Sequence, residues 1–183
     1  MNSHTPTPPS GEDRRGFFRQ AAAVFLGGLT ALVPLAAGLL TLLDPLRRKA
    51  GISGFVHVTS LSALPEDGTP RRFPVIADRV DAWNKFPRVP IGAVYLRRSG
   101  PLVHALNVTC PHAGCPVEYR SANETFLCPC HNSKFKPDGG LADVGSPSPR
   151  GMDTLEVELR NGTEVWVKFQ NFEAGKAKKI AVA

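Results

Sequence analysis

Two short stretches carry every cysteine of this 183-residue chain: Cys110-Pro111-His112-Ala113-Gly114-Cys115 and Cys128-Pro129-Cys130-His131-Asn132-Ser133. Each offers a thiol and an imidazole at short separation, and 15 residues lie between His112 and Cys128. Two such loops can close around one site. Thiolate and imidazole donors hold zinc or iron, and the options differ in what they leave over. A structural zinc takes two Cys and two His and gives no use to a further cysteine in each loop. A ferredoxin-type cluster held by four thiolates leaves both histidines idle, and disulfides alone do the same. One arrangement uses all six residues: two irons, one held by two thiolates and the other by two imidazoles, with the remaining cysteines tying the loops together.

Loops that carry such chemistry need a rigid frame, and from Phe55 onward the sequence reads as a small all-β domain. Short runs rich in Val, Phe, Tyr and Leu are separated by Pro, Gly and Asp clusters. The candidate strands are Phe55–Ser60, Arg72–Ala77, Gly92–Arg98, Leu102–Asn107, Leu155–Arg160 and Thr163–Phe169. The last two form the clearest hairpin. Leu155, Val157 and Leu159 alternate with charged residues, Asn161-Gly162 suits a tight turn with positive φ, and Val165, Val167 and Phe169 resume one face. Between Val108 and Gly151 the alternation collapses into loops, which reads as an insert stapled by chemistry rather than by a core. His57 and His104 sit in strand-like runs and read as core or sheet residues, and His4 lies in the N-terminal tail. Trp83, Phe86 and Pro87 suit either a core or a docking surface. Lys176, Lys178 and Lys179 read as a solvated tail.

The N-terminal region has a different logic. Residues 1–13 are rich in Pro, Ser and Thr with little to bury. Asp13-Arg14-Arg15-Gly16-Phe17-Phe18-Arg19 follows, and then an uncharged apolar stretch from Ala21 to Leu43, 23 residues long. At about 1.5 Å per residue that length crosses a bilayer core of about 30 Å. Asp44-Pro45 reads as the helix end, and the segment up to Gly54 as a flexible tether. The domain organisation expected is a cytoplasmic tail over 1–20, a transmembrane helix over 21–43, a tether over 44–54 and a β domain over 55–183 with its insert at 108–150. The formal net charge of +6 does not point to nucleic acid: residues 1–50 hold six Lys/Arg against three Asp/Glu, leaving 16 against 13, only +3, for the rest. One anchoring span and no nucleic-acid partner are the consequence.

The Cys-x-His-x-Gly-Cys and Cys-x-x-His boxes resemble those of the Rieske iron–sulfur family. That resemblance implies an antiparallel β domain with an inserted cluster-binding subdomain, preceded by one transmembrane helix, and one [2Fe-2S] cluster. It assigns Cys110 and Cys128 to one iron, His112 and His131 to the other, and Cys115 with Cys130 to a disulfide. Two thiolates and two neutral imidazoles leave the oxidised cluster formally neutral, where four thiolates leave it at about minus two, so the mixed ligand set raises the potential. An imidazole that ligates through one nitrogen also gains or loses a proton at the other. A quinol, which gives up both electron and proton, is the reductant this implies, with His131 or His112 receiving the hydroxyl. The family places a serine hydroxyl at Ser133 on a bridging sulfur. Where respiratory members often carry a tyrosine this chain has Phe135, and Asn132 replaces a glycine. The missing phenol implies a lowered potential suited to menaquinol. Gly145-Ser146-Pro147-Ser148-Pro149 resembles the proline loop that covers the cluster.

The paired arginines resemble the twin-arginine export signal, which implies a single-pass anchor with the cluster domain on the extracytoplasmic, periplasmic side. Together these features point to the Rieske subunit of a cytochrome bc-type quinol oxidoreductase. Its partners would be cytochrome b-type and cytochrome c-type subunits in a dimeric complex. Three alternatives are an exported Rieske subunit of another oxidoreductase, of the arsenite-oxidase small-subunit kind; a soluble ring-hydroxylating oxygenase component, which the export segment and Cys115 with Cys130 disfavour; and a zinc- or disulfide-stabilised extracytoplasmic interaction module.

Overall fold

The computed structural model describes residues 12–47, 54–80 and 84–182, which fall into a helical N-terminal unit and a β unit that begins beyond Lys49. His4, Trp83 and tether residues 48–53 lie outside the described residues, as does the Arg14 side chain. Helix α1 runs from Glu12 to Arg47. It starts ahead of the apolar stretch and continues through Asp44-Pro45 instead of ending there. The stretch Arg15–Asp44 is long and apolar enough to cross a membrane, and none of it is buried within the chain. The two threonines of that stretch are satisfied internally: Thr30 Oγ1 donates to the Gly27 carbonyl at 3.0 Å and Thr41 Oγ1 to the Ala37 carbonyl at 2.8 Å. A helix that faces hydrocarbon needs such bonds, since no water is there to supply them.

The β unit is built on β1 (Val56–Ser60), β2 (Arg71–Val80), β3 (Lys85–Ser99), β4 (Leu102–Asn107), β8 (Thr154–Arg160) and β9 (Glu164–Lys168), with β5 (Glu118–Arg120), β6 (Thr125–Leu127) and β7 (Lys134–Phe135) between β4 and β8. The first six form an antiparallel sheet in the order β1-β9-β8-β4-β3-β2, and the other three form a small antiparallel sheet, β5-β6-β7. Between β8 and β9, Asn161 and Gly162 take φ values of 52° and 71°, as their turn requires.

The sequence reading underestimates the β2–β3 hairpin. Strand β3 begins at Lys85 and runs through Pro87 and Pro90. Those prolines are tolerated because β4 pairs only with Val94–Ser99, so the early part of β3 needs ladder bonds on one side only.

Strands β3 and β4 form a wall shared by two cores. Val94, Leu96 and Ala105 join Leu64, Val75, Val165, Val167 and Phe169 on one side. Tyr95 and Leu106, one residue out of phase, join Val108, Val117, Phe126, Phe135 and Met152 on the other. The period of two in a strand makes this sharing possible: neighbouring residues point to opposite faces. Cys110 and Cys128 belong to the second core, so the chemical loops are seated on packed apolar side chains and not on solvent.

Candidate metal centre

The first Cys/His loop closes as a small hairpin. The Val117 N–H donates to the Val108 carbonyl at 2.8 Å, the Cys110 N–H to the Cys115 carbonyl at 2.8 Å, and the Gly114 N–H to the Cys110 carbonyl at 2.9 Å. Gly114 takes φ 79° in that turn, a conformation most side chains avoid. Asn107, 1% exposed at the end of β4, sets the entry: its Oδ1 accepts the Thr109 N–H at 2.8 Å, and its Nδ2 donates to the Gln170 carbonyl at 2.9 Å and to Asn171 Oδ1 at 3.1 Å. The second loop links β6 to β7 and closes with the Cys128 N–H donating to the Ser133 carbonyl at 2.9 Å. Asn132 lies there at φ 58°, where the family resemblance expects glycine. Asn is among the few other residues that enter this region readily.

The loops meet. Cys115 and Cys130 form a disulfide with Cα atoms 6.5 Å apart, while Cys110 and Cys128 remain free and are 0% and 1% exposed. The Cys128 sulfur lies within 4.8 Å of both disulfide sulfurs, which are committed to each other and are not free thiolates. The His112 and His131 rings stand edge to face, centroids 4.7 Å apart. His112 is half-buried and His131 exposed.

Two buried polar atoms at this place, His112 Nδ1 and Ser133 Oγ, have no hydrogen-bond partner. Burial of such groups is costly unless something completes them. Burial above all, reinforced by the neighbouring Cys128 thiol, pushes the Cys110 thiol above its ordinary range. The nearby His112 backbone N–H acts the other way, favouring thiolate. Two free buried thiols, a facing pair of imidazoles and two orphaned polar atoms form a donor set that suits a metal group with both sulfur and nitrogen ligands.

Outside this centre, His57 and His104 are exposed residues of β1 and β4 and take no part in it. Phe86 is 36% exposed with the Arg79 guanidinium over its ring at 5.1 Å, and so fills no core. In the proline-rich stretch, Ser148 is 3% exposed and its Oγ donates to the Arg150 carbonyl at 2.7 Å. The sequence reading gave no role to Tyr95, Asn107, Arg150 or Asp153. A polar residue ending an apolar strand was the signal for Asn107, and opposite charges three residues apart were the signal for Arg150 and Asp153.

Comparison with known proteins agrees with this chemistry. The Rieske [2Fe-2S] domain profile matches residues 55–160. The chain is 42% identical over 59 residues to the chloroplastic cytochrome b6-f complex iron-sulfur subunit of Bigelowiella natans, a match covering 32% of this chain and 23% of that protein. It is 25% identical over 152 residues to the cytochrome b6-f complex iron-sulfur subunit of Chlorobaculum tepidum, covering 82% of this chain and 72% of the relative. Among solved structures it resembles the plasma membrane Rieske protein of Synechocystis PCC 6803, with 24% identity and a TM-score of 0.44 over 62% of this chain and 99% of that one. With more than half its length matched by the profile, the chain belongs to the Rieske [2Fe-2S] domain family, whose domain binds one [2Fe-2S] cluster.

Proposed function

We propose that the chain is the Rieske electron-transfer subunit of a cytochrome b6-f- or bc-type quinol oxidoreductase. In this reading Cys110 and Cys128 hold one iron, His112 and His131 hold the other, and the Cys115–Cys130 bridge braces the loops. The observation that carries it is the pairing of two free buried thiols with two adjacent imidazoles. When bound, the cluster supplies one-electron redox chemistry at a potential raised by its nitrogen ligands.

The chain's own residues supply the rest. His131, the exposed member of the imidazole pair, accepts a hydrogen bond from the quinol hydroxyl and holds its proton, with His112 beside it. The buried positions of Cys110 and Cys128 keep water from the thiolates. The buried Ser133 hydroxyl, unpartnered in the chain alone, would donate to a sulfur of the bound cluster, and Phe135 offers no such donor, which favours a low-potential quinol such as menaquinol. The domain boundaries belong to the same proposal: tail and twin-arginine signal over 1–20, span over 21–43, tether over 44–54, β domain over 55–183. So do its extracytoplasmic location and its cytochrome b-type and c-type partners in a dimeric complex. The match to the b6-f subunit of Chlorobaculum tepidum over most of both chains supports this reading.

Anaerobic loading followed by EPR of the reduced protein tests it. The expected result is two irons per chain and the spectrum of a cluster with mixed sulfur and nitrogen ligands, altered in His131→Cys and displaced by quinol analogues in the assembled complex. A zinc-only protein, or iron with four sulfur ligands, would overturn it.

A further inference from the structure

The C-terminal segment, residues 171–182, is solvent-exposed, as its lysines suggest, but its backbone is tied down. It folds back on itself, with the Glu173 N–H donating to the Ile180 carbonyl and the Val182 N–H to the Asn171 carbonyl, both at 2.9 Å. Lys179 lies 4.4 Å from the Phe172 ring centroid. One end is tied to β4 through Asn107. The middle is tied to Arg150, just past the proline-rich stretch. Arg150 grips Asp153 with two parallel bonds, Nε to Oδ1 at 3.0 Å and Nη2 to Oδ2 at 2.8 Å, with the two side chains only 11% and 6% exposed. The same guanidinium donates to the Glu173 carbonyl at 3.0 Å and to the Lys176 carbonyl. A bidentate arginine of this kind fixes geometry as well as charge.

Between those two carbonyls lies Gly175, at φ 72°, and its N–H donates to the Pro111 carbonyl at 2.8 Å. Pro111 stands between Cys110 and His112. The peptide unit that accepts from Gly175 through its oxygen carries the His112 N–H on its other side, so this one bond fixes the backbone between Cys110 and His112. Hydrogen bonds on the two sides of one peptide polarise each other, and donors to cluster sulfurs raise the reduction potential.

We propose that residues 171–182, locked by Arg150 and Asp153, are a positioning strap that fixes the Pro111–His112 peptide beside Cys110 and thereby raises the potential of the centre. The proposal rests on Cys110 and His112 being ligands, as argued above.

The test uses the full chain, loaded with its cluster. Gly175→Pro removes the donor and, because proline cannot take φ 72°, releases the turn as well, while Arg150→Leu combined with Asp153→Leu removes the clamp without leaving a lone buried charge. Lys178→Ala is the control in the same segment. In either strap variant the equilibrium constant for one-electron reduction should fall about threefold, roughly 30 mV on a scale of about 59 mV per decade. The control should not move. A lower Tm with an unchanged potential in both strap variants would overturn the proposal and leave the segment a mere brace. A wild-type protein without the mixed-ligand EPR signal would instead show that the ligand assignment itself has failed, and the strap's role would fall with it.

Amide exchange on the iron-free chain gives a second reading should a variant load poorly. Gly175 and His112 should be protected together in the wild type and lose protection together when the clamp is removed. Free exchange at Gly175 in the wild type, or loss at Gly175 with His112 unmoved, would overturn the proposal.

Discussion

The Tyr95 hydroxyl accepts a hydrogen bond from the Tyr119 backbone N–H at 3.0 Å and donates one to the Val117 carbonyl at 3.2 Å. One phenol in β3 thus joins the large sheet to the start of β5, immediately past the first Cys/His loop. Its ring meets Phe126 edge-on, centroids 4.8 Å apart, and Tyr119 packs on the same Phe126 at 5.1 Å. In Tyr95→Phe the ring packing remains, but a donor and an acceptor in the interior lose their partner. The expected cost is about 1–2 kcal/mol, read as a lower urea midpoint with an unchanged slope. An unchanged midpoint would mean that water replaces the hydroxyl freely and that the two sheets are joined by packing alone.

The disulfide joins the loops across a sequence separation of 15 residues. Closing a loop of that size contributes about 3 kcal/mol through the unfolded chain. Cys115→Ala with Cys130→Ala should therefore lower stability by about that amount by denaturant titration. The Cys130 end is exposed, so mild reductant should have the same effect on the wild-type chain. Loaded protein treated in this way should lose its visible absorbance faster than untreated protein. If the doubly substituted chain kept both its stability and its absorbance, the packing of Cys110 and Cys128 into the second core would be sufficient to hold the loops.

Much of this was legible in the sequence because single residues carry the constraint. Thiols and imidazoles in two boxes announce a joint site, Asn161-Gly162 announces its turn, and an uncharged run of 23 residues announces a helix. What was not legible depends on partners distant in the chain. Alternation along β3 and β4 says that Tyr95 and Leu106 face away from Val94 and Ala105, but not that a second core waits on that side. Pro87 and Pro90 argue against a strand until it is known that β3 has one neighbour there. Arg150 lies 23 residues from Glu173 and 26 from Lys176, and nothing local marks those carbonyls as its acceptors. The lysines nearby do face solvent, and nothing in them shows that the backbone carrying them is tied down.

The iron-free chain should respond to alkaline pH. Burial pushes the Cys110 thiol above its ordinary value of 9.0, so the folded chain holds that proton more firmly than the unfolded one. The resulting stability is complete below the ordinary value and is lost as pH rises through the higher folded value. Thermal unfolding of the iron-free chain should show Tm falling across that alkaline window, and Cys110→Ser should weaken the fall. Ligation displaces the proton, so cluster uptake should become more favourable as pH rises from neutrality, which iron titration at several pH values would measure. A pH-independent uptake would mean that the thiols are already ionised in the folded, iron-free chain.

Phe135 offers the most direct handle on the proposed preference for a low-potential quinol. Its side chain is 0% exposed, in the same core as Cys110 and Cys128, and its backbone bridges Phe126 and Leu141. A phenol at this place must find an acceptor, because an unpaired buried hydroxyl costs about 1–3 kcal/mol. If the ring is directed at a ligating sulfur, Phe135→Tyr makes a new bond to that sulfur. The bond offsets most of that cost and favours the reduced state, so the midpoint potential rises with little change in Tm. If the hydroxyl finds nothing, Tm falls and the potential stays where it was. Redox titration together with thermal unfolding of the loaded variant separates the two outcomes. The first supports the view that this chain, lacking the phenol, is set for a low-potential quinol. The second removes the basis for that view while leaving the ligand set intact.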